Sequence, residues 1–370
     1  MDSLYMIPTI RNPSIIDYYA NLKDSEKKRI FFLIITEDLP EKGEYKKHIR
    51  DLGLDGEVFG RVERDVFMNE NGLSKYSYLI PENSHAETSF GLVYQQMNRE
   101  FKYGFFIDDD TVPLGGGNSF YQKHIDNLNF SGKIESVGSS NNWVNVLYQS
   151  YGKYGFYPRG YPFSKRNNDS TLATTEYIHE GGKVYISQGL WTNMPDLNAV
   201  DILVHGGLEG LIEKHMTIED YKSNFVVKKS NFQTVCSMNL AFKREVIPFF
   251  YQFLMDSNPY GVGRFDDIWS GIIAKKVLDN EGYYILNGYP LCIHNKEKRN
   301  IFKDLKAESV GYEMNEVFCN IVESTDIQGL RPKEAVLKIA DRMAESRFPF
   351  IKDSGKHLLD WIGLVEAALR

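Results

Sequence analysis

Short apolar runs alternate with amphipathic segments along the first third of the chain. Leu4 to Ile10 and Arg29 to Thr36 are continuous apolar runs, which are typical of strands buried on both faces. Tyr76 to Ile80 predicts a third, shorter strand. Glu87 to Phe101 has apolar residues at helical spacing and leads into a further strand, Tyr103 to Ile107. Because strands alternate with helical segments, the pattern predicts an α/β protein with a mostly parallel sheet.

The pattern changes after residue 143. From Trp143 to Trp269 the chain is rich in aromatic residues, Gly and Pro, and we expect mixed strands and loops that form a lid over the carboxyl edge of the sheet. Pro332 to Glu345 and Lys356 to Leu369 each carry apolar residues on one helical face. We expect this pair of helices to pack on the domain or on another subunit. The predicted organisation is an α/β domain over residues 1–308 and a C-terminal helical extension over residues 309–370.

Composition narrows the class of protein. The 370 residues are 42% hydrophobic and 25% charged, as in ordinary globular proteins, and the formal net charge of −7 argues against a nucleic-acid backbone as a partner. Cys236, Cys292 and Cys319 lack metal-site spacing and are interpreted as buried thiols in a reducing compartment. The N-terminus has no signal pattern, and no apolar run is long enough to span a bilayer. We therefore expect a cytoplasmic protein without membrane insertion.

Three consecutive carboxylates, Asp108, Asp109 and Asp110, follow the predicted strand Tyr103 to Ile107. Like charges side by side repel one another, so a folded protein retains such a cluster where something neutralises it. Oxygen-rich sites with few protein ligands suit Mg²⁺ or Mn²⁺ that also binds the phosphates of a substrate. Ligands of α/β sheets bind at the carboxyl ends of the strands. The segment predicts a site for a metal and a nucleotide diphosphate; the alternative is a solvated acidic turn.

His294 follows the apolar run Tyr289 to Ile293 and therefore lies at a strand end. A neutral imidazole there can be a further metal ligand, whereas a lone histidine is more often structural or on the surface. Lys296, two residues later, is a candidate for holding a diphosphate.

Arg159 lies between Pro158 and Pro162, which restrict the backbone around it. Guanidinium groups stay protonated and pair with phosphates, so Arg159 and the nearby Arg166 are candidates for compensating the charge of a diphosphate leaving group. The alternative is an arginine stacked on tyrosines. Trp191 is a candidate wall for a sugar or an acceptor, or else a buried structural indole.

Asp266 and Asp267 open a predicted helix. Either carboxylate could cap the helix, since negative charge is favourable at a helix N-terminus. Either could also bind sugar hydroxyls or act as a base.

Six blocks of the sequence occur together in the order found in one family. They are Ile7 to Asn12, Ile107 to Asp110, Arg159 to Ser164, Gln188 to Trp191 with Asn193 and Pro195-Asp196, Cys236 with Met238 to Phe242, and Gly263 to Trp269. Together with His294, Lys296 and Asn300, they resemble the reversibly glycosylated polypeptides, also called UDP-arabinopyranose mutases. The resemblance covers residues 5 to 308.

The resemblance implies a GT-A-like fold that binds a nucleotide-diphospho-sugar, with Mn²⁺ or Mg²⁺ as cofactor. It implies interconversion of the pyranose and furanose forms of UDP-L-arabinose, with reversible glycosylation of an arginine that corresponds to Arg159. The residues expected to bind the UDP-sugar are Thr9, Arg11, Asp108, Asp109, Arg166, Trp191 and Lys296. The expected metal ligands are Asp108, Asp110 and His294, and the expected catalytic residues are Arg159, Asp110, Asp266 and Asp267.

A protonated guanidinium is a poor nucleophile, so Arg159 would have to lose a proton to a carboxylate as it attacks the sugar. Asp110, Asp266 and Asp267 remain open as that base. An alternative function is that of a glycosyltransferase, which passes arabinose or another sugar to a glycan, small-molecule or nucleobase acceptor. A non-catalytic, nucleotide-sugar-binding partner of an oligomer ranks last, because the three aspartates and Arg159 are all present.

Overall fold

The computed structural model describes residues 1–11, 13–37, 42–115, 117–152, 155–167, 171–179, 181–213, 215–255 and 258–370. Asn12, part of the first family-like block, lies outside the described residues. In the described ranges eleven strands form one sheet. They are β1 (Ser3–Pro8), β2 (Ile30–Ile35), β3 (Gly56–Phe59), β4 (Tyr103–Ile107), β5 (Thr111–Pro113), β6 (Gly132–Ser139), β7 (Thr171–Ile178), β8 (Val184–Asn193), β9 (Phe225–Val227), β10 (Asn239–Lys243) and β11 (Tyr284–His294).

The sheet is mixed, with strand order β3-β2-β1-β4-β10-β8-β11-β9-β6-β7, and β5 pairs with β11 beside this path. β3, β2, β1 and β4 are parallel to one another. This order is that of the nucleotide-binding half of a doubly wound sheet. β10 then runs antiparallel between β4 and β8. The strands predicted at β1, β2 and β4 are confirmed.

The α-helices of the described residues cover both faces of the sheet and the C-terminal region. They are α1 (Asp24–Lys27), α2 (Lys42–Asp51), α3 (Arg61–Glu70), α4 (Ser89–Met97), α5 (Gly117–Leu128), α6 (Val146–Tyr151), α7 (Ala199–Val204), α8 (Asp266–Glu281), α9 (Ile301–Ser324), α10 (Pro332–Ala344) and α11 (Pro349–Ala367). Short 3₁₀ helices span Pro13–Tyr19, Ser74–Leu79, His85–Thr88, Phe163–Lys165, Ile218–Asp220 and Arg244–Phe249.

Two sequence predictions are wrong. The strand predicted at Tyr76 to Ile80 is part of the 3₁₀ helix Ser74–Leu79, because a five-residue apolar run does not distinguish the two conformations. The segment from Trp143 to Trp269 is no lid, since it supplies strands β7 to β10, two of which lie in the middle of the sheet. β8 is buried along most of its length, and its small and polar residues interrupt the apolar run that would have marked a strand.

The C-terminal helices α10 and α11 form as predicted, and they pack on the rest of the chain. Trp361 of α11 is fully buried, stacks on Tyr251 with ring centroids 5.1 Å apart, and donates its indole N–H to the carbonyl of Ile247. The α/β fold with C-terminal helices is thereby confirmed. The boundary predicted at residue 308 falls within α9, and the division into two domains stays a prediction.

Cys236, Cys292 and Cys319 are free and buried, as expected. Within the described ranges, the helices are all too short or too polar to traverse a bilayer.

Candidate functional site

The three aspartates lie at the carboxyl end of β4, where the chain turns into β5. β5 pairs with the last residues of β11, so that Thr111 lies opposite His294. The backbone N–H of Asn295 donates to the carbonyl of Asp110 at 2.8 Å. This pairing brings the His294 side chain to the triplet, with Nε2 3.5 Å from Asp110 Oδ2. Residues almost two hundred positions apart thus meet through one short strand pair.

Two cavities adjoin at this edge of the sheet. The first has a volume of about 230 Å³ and the second about 420 Å³, and both are lined by His85 and Asp108. The first is further lined by Asp110, Arg159, Asp196, Ser237, Met238, Arg264, Asp266, Asp267, His294, Lys296 and Arg299. The second is further lined by Pro8, Thr9, Ile10, Glu37, Asn83, Ser84, Glu87 and Asp109.

Groups of the chain itself partly neutralise the acidic triplet. Asp109 accepts a hydrogen bond from the Thr9 hydroxyl at 2.8 Å and pairs with Arg11 at 2.9 Å. Burial raises the pKa of Asp109 to about 6 despite these contacts. Burial also acts to raise the pKa of Asp110, but the neighbouring His294 and Arg11 outweigh it and hold that pKa below its usual value. Thr9 and Arg11 therefore lie with the aspartates, and their expected role in binding the UDP-sugar stays a prediction.

Asp108, Asp110 and His294 are the candidate ligands for a divalent cation at this strand end. His294 Nδ1 lies 2.7 Å from the carbonyl of Met194, so Nδ1 carries a proton and donates it to that carbonyl. A bond of this kind orients a metal-binding histidine. Across the described part of the chain, no group of three or more His, Cys, Asp or Glu side chains is arranged to hold a metal on its own. A divalent cation at this strand end would therefore need further ligands, such as the phosphates of a substrate.

Arg159 also lines the first cavity, where two carboxylates hold its side chain. Its Nε lies 3.0 Å from Asp196 Oδ2, and its two terminal nitrogens lie 3.0 and 3.1 Å from the two oxygens of Asp267. Nη1 also donates to the backbone carbonyl of Arg264. Burial disfavours the charged guanidinium, but Asp196 and Asp267 outweigh it and raise the pKa of Arg159 well above its ordinary value. In this state the side chain is a fixed cation.

The first turn of α8 gives each of its two aspartates a different partner. Asp266 Oδ2 lies 2.6 Å from His85 Nδ1, whereas Asp267 binds Arg159. Burial would lower the pKa of His85, but Asp266 and Asp108 raise it overall. Of the three carboxylates considered as the base, Asp267 is the one in contact with Arg159. Phe265 is the N-cap of α8, and neither aspartate caps the helix.

A group of cations lines the remaining edge of the first cavity. Arg264 is paired with Glu308 and Arg299 with Asp304, whereas Lys296 has no ion pair within the described ranges. Burial and the neighbouring Arg299 lower the pKa of Lys296 to about 7. An anionic ligand at this edge would restore the charge of Lys296 and gain hydrogen bonds from it.

Arg166 and Trp191 line neither cavity. Arg166 forms two 2.8 Å bonds to Asp201 and stacks over the ring of Phe163. Trp191 is 1% exposed, within the core. Their assignment as substrate-binding residues stays a prediction, and each is engaged within the fold.

Sequence reasoning overlooked three residues of the site, Asp196, Arg264 and His85. Asp196 and Arg264 lie in segments that were singled out for other residues. Arg299, by contrast, lies in the basic stretch Lys296 to Arg299, which the sequence indicates could meet a phosphate. His85 stands in a polar turn without a motif. No sequence signal identifies it, because its role depends on Asp266, which is far away in the chain.

Comparison with known proteins places these observations in one family. The model of the family described as "Reversibly glycosylated polypeptide" matches residues 7–366. UDP-arabinopyranose mutase 3 of Arabidopsis thaliana is 30% identical over 83% of this chain and 73% of its own length. Probable UDP-arabinopyranose mutase 1 of Solanum tuberosum is 29% identical over 96% of this chain and 88% of its own length.

A solved structure is also similar to this chain. The mannosyltransferase PcManGT from Pyrobaculum calidifontis, in complex with GDP-Man and Mn²⁺, shows 11% identity over 99% of this chain and 85% of its own, with a TM-score of 0.37. The family match continues through the C-terminal helices and beyond the residues 5 to 308 that carried the resemblance. The chain belongs to the reversibly glycosylated polypeptide family.

Proposed function

We propose that this chain is a metal-dependent enzyme that interconverts UDP-L-arabinopyranose and UDP-L-arabinofuranose through reversible glycosylation of Arg159. The observation that carries the proposal is the position of the Arg159 guanidinium. It is paired with two carboxylates on the wall of the cavity that Asp108 and Asp110 also line. The names of the relatives support a UDP-sugar mutase.

The two adjoining cavities suit the two ends of a nucleotide-sugar. The larger cavity, beside Thr9 and Glu37, would take the nucleoside, and the smaller one would take the sugar. The diphosphate would then lie where both cavities meet, between the acidic strand end and the side chain of Lys296. Asp108, Asp110 and His294 would hold Mn²⁺ or Mg²⁺, which when bound neutralises the diphosphate as UDP departs.

Transfer of the sugar from UDP to Arg159 would break one bond at the anomeric carbon and form another. The bond between the anomeric carbon and the phosphate oxygen breaks, and UDP leaves with the electron pair. A terminal nitrogen of Arg159 forms the new bond to that carbon, and its proton passes to Asp267, which already contacts both terminal nitrogens. Lys296 would stabilise the leaving diphosphate by hydrogen bonding.

The sugar changes ring size while it is attached to Arg159. The bond between the anomeric carbon and the ring oxygen opens, with a proton taken up by that oxygen, and a different hydroxyl closes the ring and releases its proton. UDP then attacks the anomeric carbon and the Arg159–sugar bond breaks, with the nitrogen regaining its proton from Asp267. The Asp196 carboxylate would keep the guanidinium oriented throughout.

The test is mass spectrometry of the protein after incubation with UDP-arabinopyranose and MnCl₂, together with chromatography of the nucleotide products. We expect one sugar per chain on Arg159 and a furanose nucleotide in the absence of any acceptor. Arg159→Ala should lose both, whereas the exposed Arg342→Ala should retain both. Labelling of the Arg159→Ala variant at the normal level would refute the proposal. UDP release that requires a separate acceptor would favour the glycosyltransferase alternative.

A further inference from the structure

Arg264 connects the reactive arginine to α9. Its φ of +67° lies in the left-handed region, which disfavours residues with a side chain. Its carbonyl accepts a hydrogen bond from Arg159 Nη1, and its Nε donates to Glu308 Oε1 at 2.7 Å. If its side chain were released, the backbone of Arg264 would gain by returning to negative φ, which would turn the carbonyl away from Arg159.

Glu308 is a firm anchor for this connection. It is fully buried on α9, and its second oxygen accepts the backbone N–H of Ala199 at 2.7 Å and the hydroxyl of Tyr312 at 2.5 Å. A buried carboxylate with this many donors has a single low-energy position, because any other orientation leaves donors unpaired. Glu308 therefore fixes the side chain of Arg264, and with it the direction of the Arg264 carbonyl.

A second contact of α9 supports the same arrangement. Asn315 donates to the carbonyl of Gly160, the residue after Arg159, at 2.9 Å. Its oxygen accepts the indole N–H of Trp269 at 3.0 Å, one helical turn into α8. α9 thus contacts the segment that carries Arg159 and the helix that carries Asp267.

We propose that Glu308 is a positioning residue for Arg159. Through Arg264 it directs a backbone carbonyl at Nη1, and this keeps the terminal nitrogens aligned with Asp267, their proton acceptor. The inference rests on the proposed function, in which Arg159 receives the sugar. Glu308 does not line the cavity and acts through Arg264.

The test is a double-mutant cycle with Glu308→Gln, Arg264→Gly and their combination. Glu308→Gln keeps the shape but replaces one acceptor by an amide, and we expect kcat to fall about tenfold with KM within about twofold. Glycine adopts positive φ without strain, so in the Arg264→Gly background Glu308→Gln should lower kcat by less than about twofold. Losses that multiply in the double variant would overturn the proposal.

Glu323→Gln is the matched control on the same helix. Glu323 binds Trp143 Nε1 and Lys165 and makes no contact with Arg264. Equal losses of kcat in Glu308→Gln and Glu323→Gln would show general loosening of α9 and would also overturn the proposal. Thermal melting of each variant verifies that the comparison is made on folded protein.

A measurement that needs no turnover separates this inference from the proposed function. The side-chain N–H signal of Arg159 in a ¹⁵N-arginine NMR spectrum can be identified by its loss in Arg159→Lys. Its exchange with water should be faster in Glu308→Gln than in wild type or Glu323→Gln; an unchanged rate would refute the positioning role. Failure of the wild type to accept sugar would refute the proposed function alone.

Discussion

Two sets of carboxylates contribute to the first cavity, and they differ in how their negative charge is neutralised. The acidic strand end consists of Asp108 to Asp110, and the Arg159 cluster consists of Arg159 with Asp196 and Asp267. The Asp108 side chain is 32% exposed, and the imidazole of His85 is 4.0 Å from it. Asp267, by contrast, is buried and forms a two-bond ion pair with Arg159. The first set is partly exposed and only partly neutralised by Arg11 and His294, whereas the second already contains its cation. We therefore call the first set the open cluster and the second set the closed cluster.

The largest effect is expected when the cation of the closed cluster is removed. Arg159→Ala leaves Asp196 and Asp267 buried without their cation, and we expect the free energy of unfolding to fall by about 3–5 kcal/mol at pH 8. Burial already raises the pKa of Asp267, and without Arg159 both folded-state pKa values would exceed the unfolded ones. Protonation would then restore stability as the pH falls, so the loss should be smaller at pH 5. Urea unfolding at the two pH values measures it.

A double variant shows whether the loss of stability comes from the unpaired charges or from lost packing. Arg159→Ala combined with Asp267→Asn removes one of the two orphaned charges and should recover part of the loss at pH 8. The same destabilisation at both pH values, in single and double variants, would show that the loss comes from packing and not from charge.

The next largest effect is expected at the open cluster. Asp110→Asn should lower kcat/KM by about 100-fold or more, because the leaving diphosphate loses its cation. Calorimetric titration with UDP should show weaker binding in MnCl₂ for the variant, and EDTA should weaken the wild type to a similar level. Asp126→Asn, an exposed aspartate on α5, is the control. Tight UDP binding by the wild type in EDTA would contradict the open-cluster interpretation.

A smaller effect is expected at the wall of the second cavity. Burial raises the pKa of Glu87 to about 7, against the opposing influence of Arg64. Because this acid is more easily ionised in the unfolded chain, wild-type stability is lost as the pH rises towards 7. Glu87→Gln removes the ionisation and should be more stable than wild type by about 2 kcal/mol at pH 8, with a much smaller difference at pH 5. Urea unfolding tests this, with the exposed Glu70→Gln as control; a difference independent of pH would contradict it.

The smallest effect concerns a residue outside both clusters. Trp191→Phe should lower the unfolding free energy by about 1 kcal/mol through lost packing, while KM for the UDP-sugar stays within about twofold. Steady-state kinetics measures KM, and thermal unfolding measures the change in stability. A large rise in KM with unchanged stability would restore Trp191 as a sugar-binding residue.

The two clusters also differ in how far sequence predicts them. Asp108 to Asp110 are contiguous at the end of an apolar run, so local pattern locates both the strand and the charges. Arg159, Asp196 and Asp267 come from separate segments, and their contacts depend on the order of strands in the middle of the sheet. The segment that builds those strands, from Trp143 to Trp269, was the one that sequence patterns described least well.

Sequence also could not show which candidate base contacts Arg159. Successive residues of a helix point about 100° apart, so Asp266 and Asp267 necessarily face different neighbours. Sequence shows that the two carboxylates diverge, but only the packing of α8 shows that Asp266 faces His85 and Asp267 faces Arg159. α9 was overlooked for a related reason, since buried polar residues such as Glu308 and Asn315 break the apolar period that marks an inward face.

The course of α9 has a practical consequence for anyone shortening this protein. Ending the chain at residue 308 would retain every side chain that sequence alone associates with chemistry. It would also delete Asn315, together with Glu316, whose carboxylate accepts the Phe163 N–H and the Ser164 hydroxyl. A protein truncated in this way would lose the contacts that hold the segment carrying Arg159, and shortened versions should keep α9 as well as α11, whose Trp361 is buried against Tyr251.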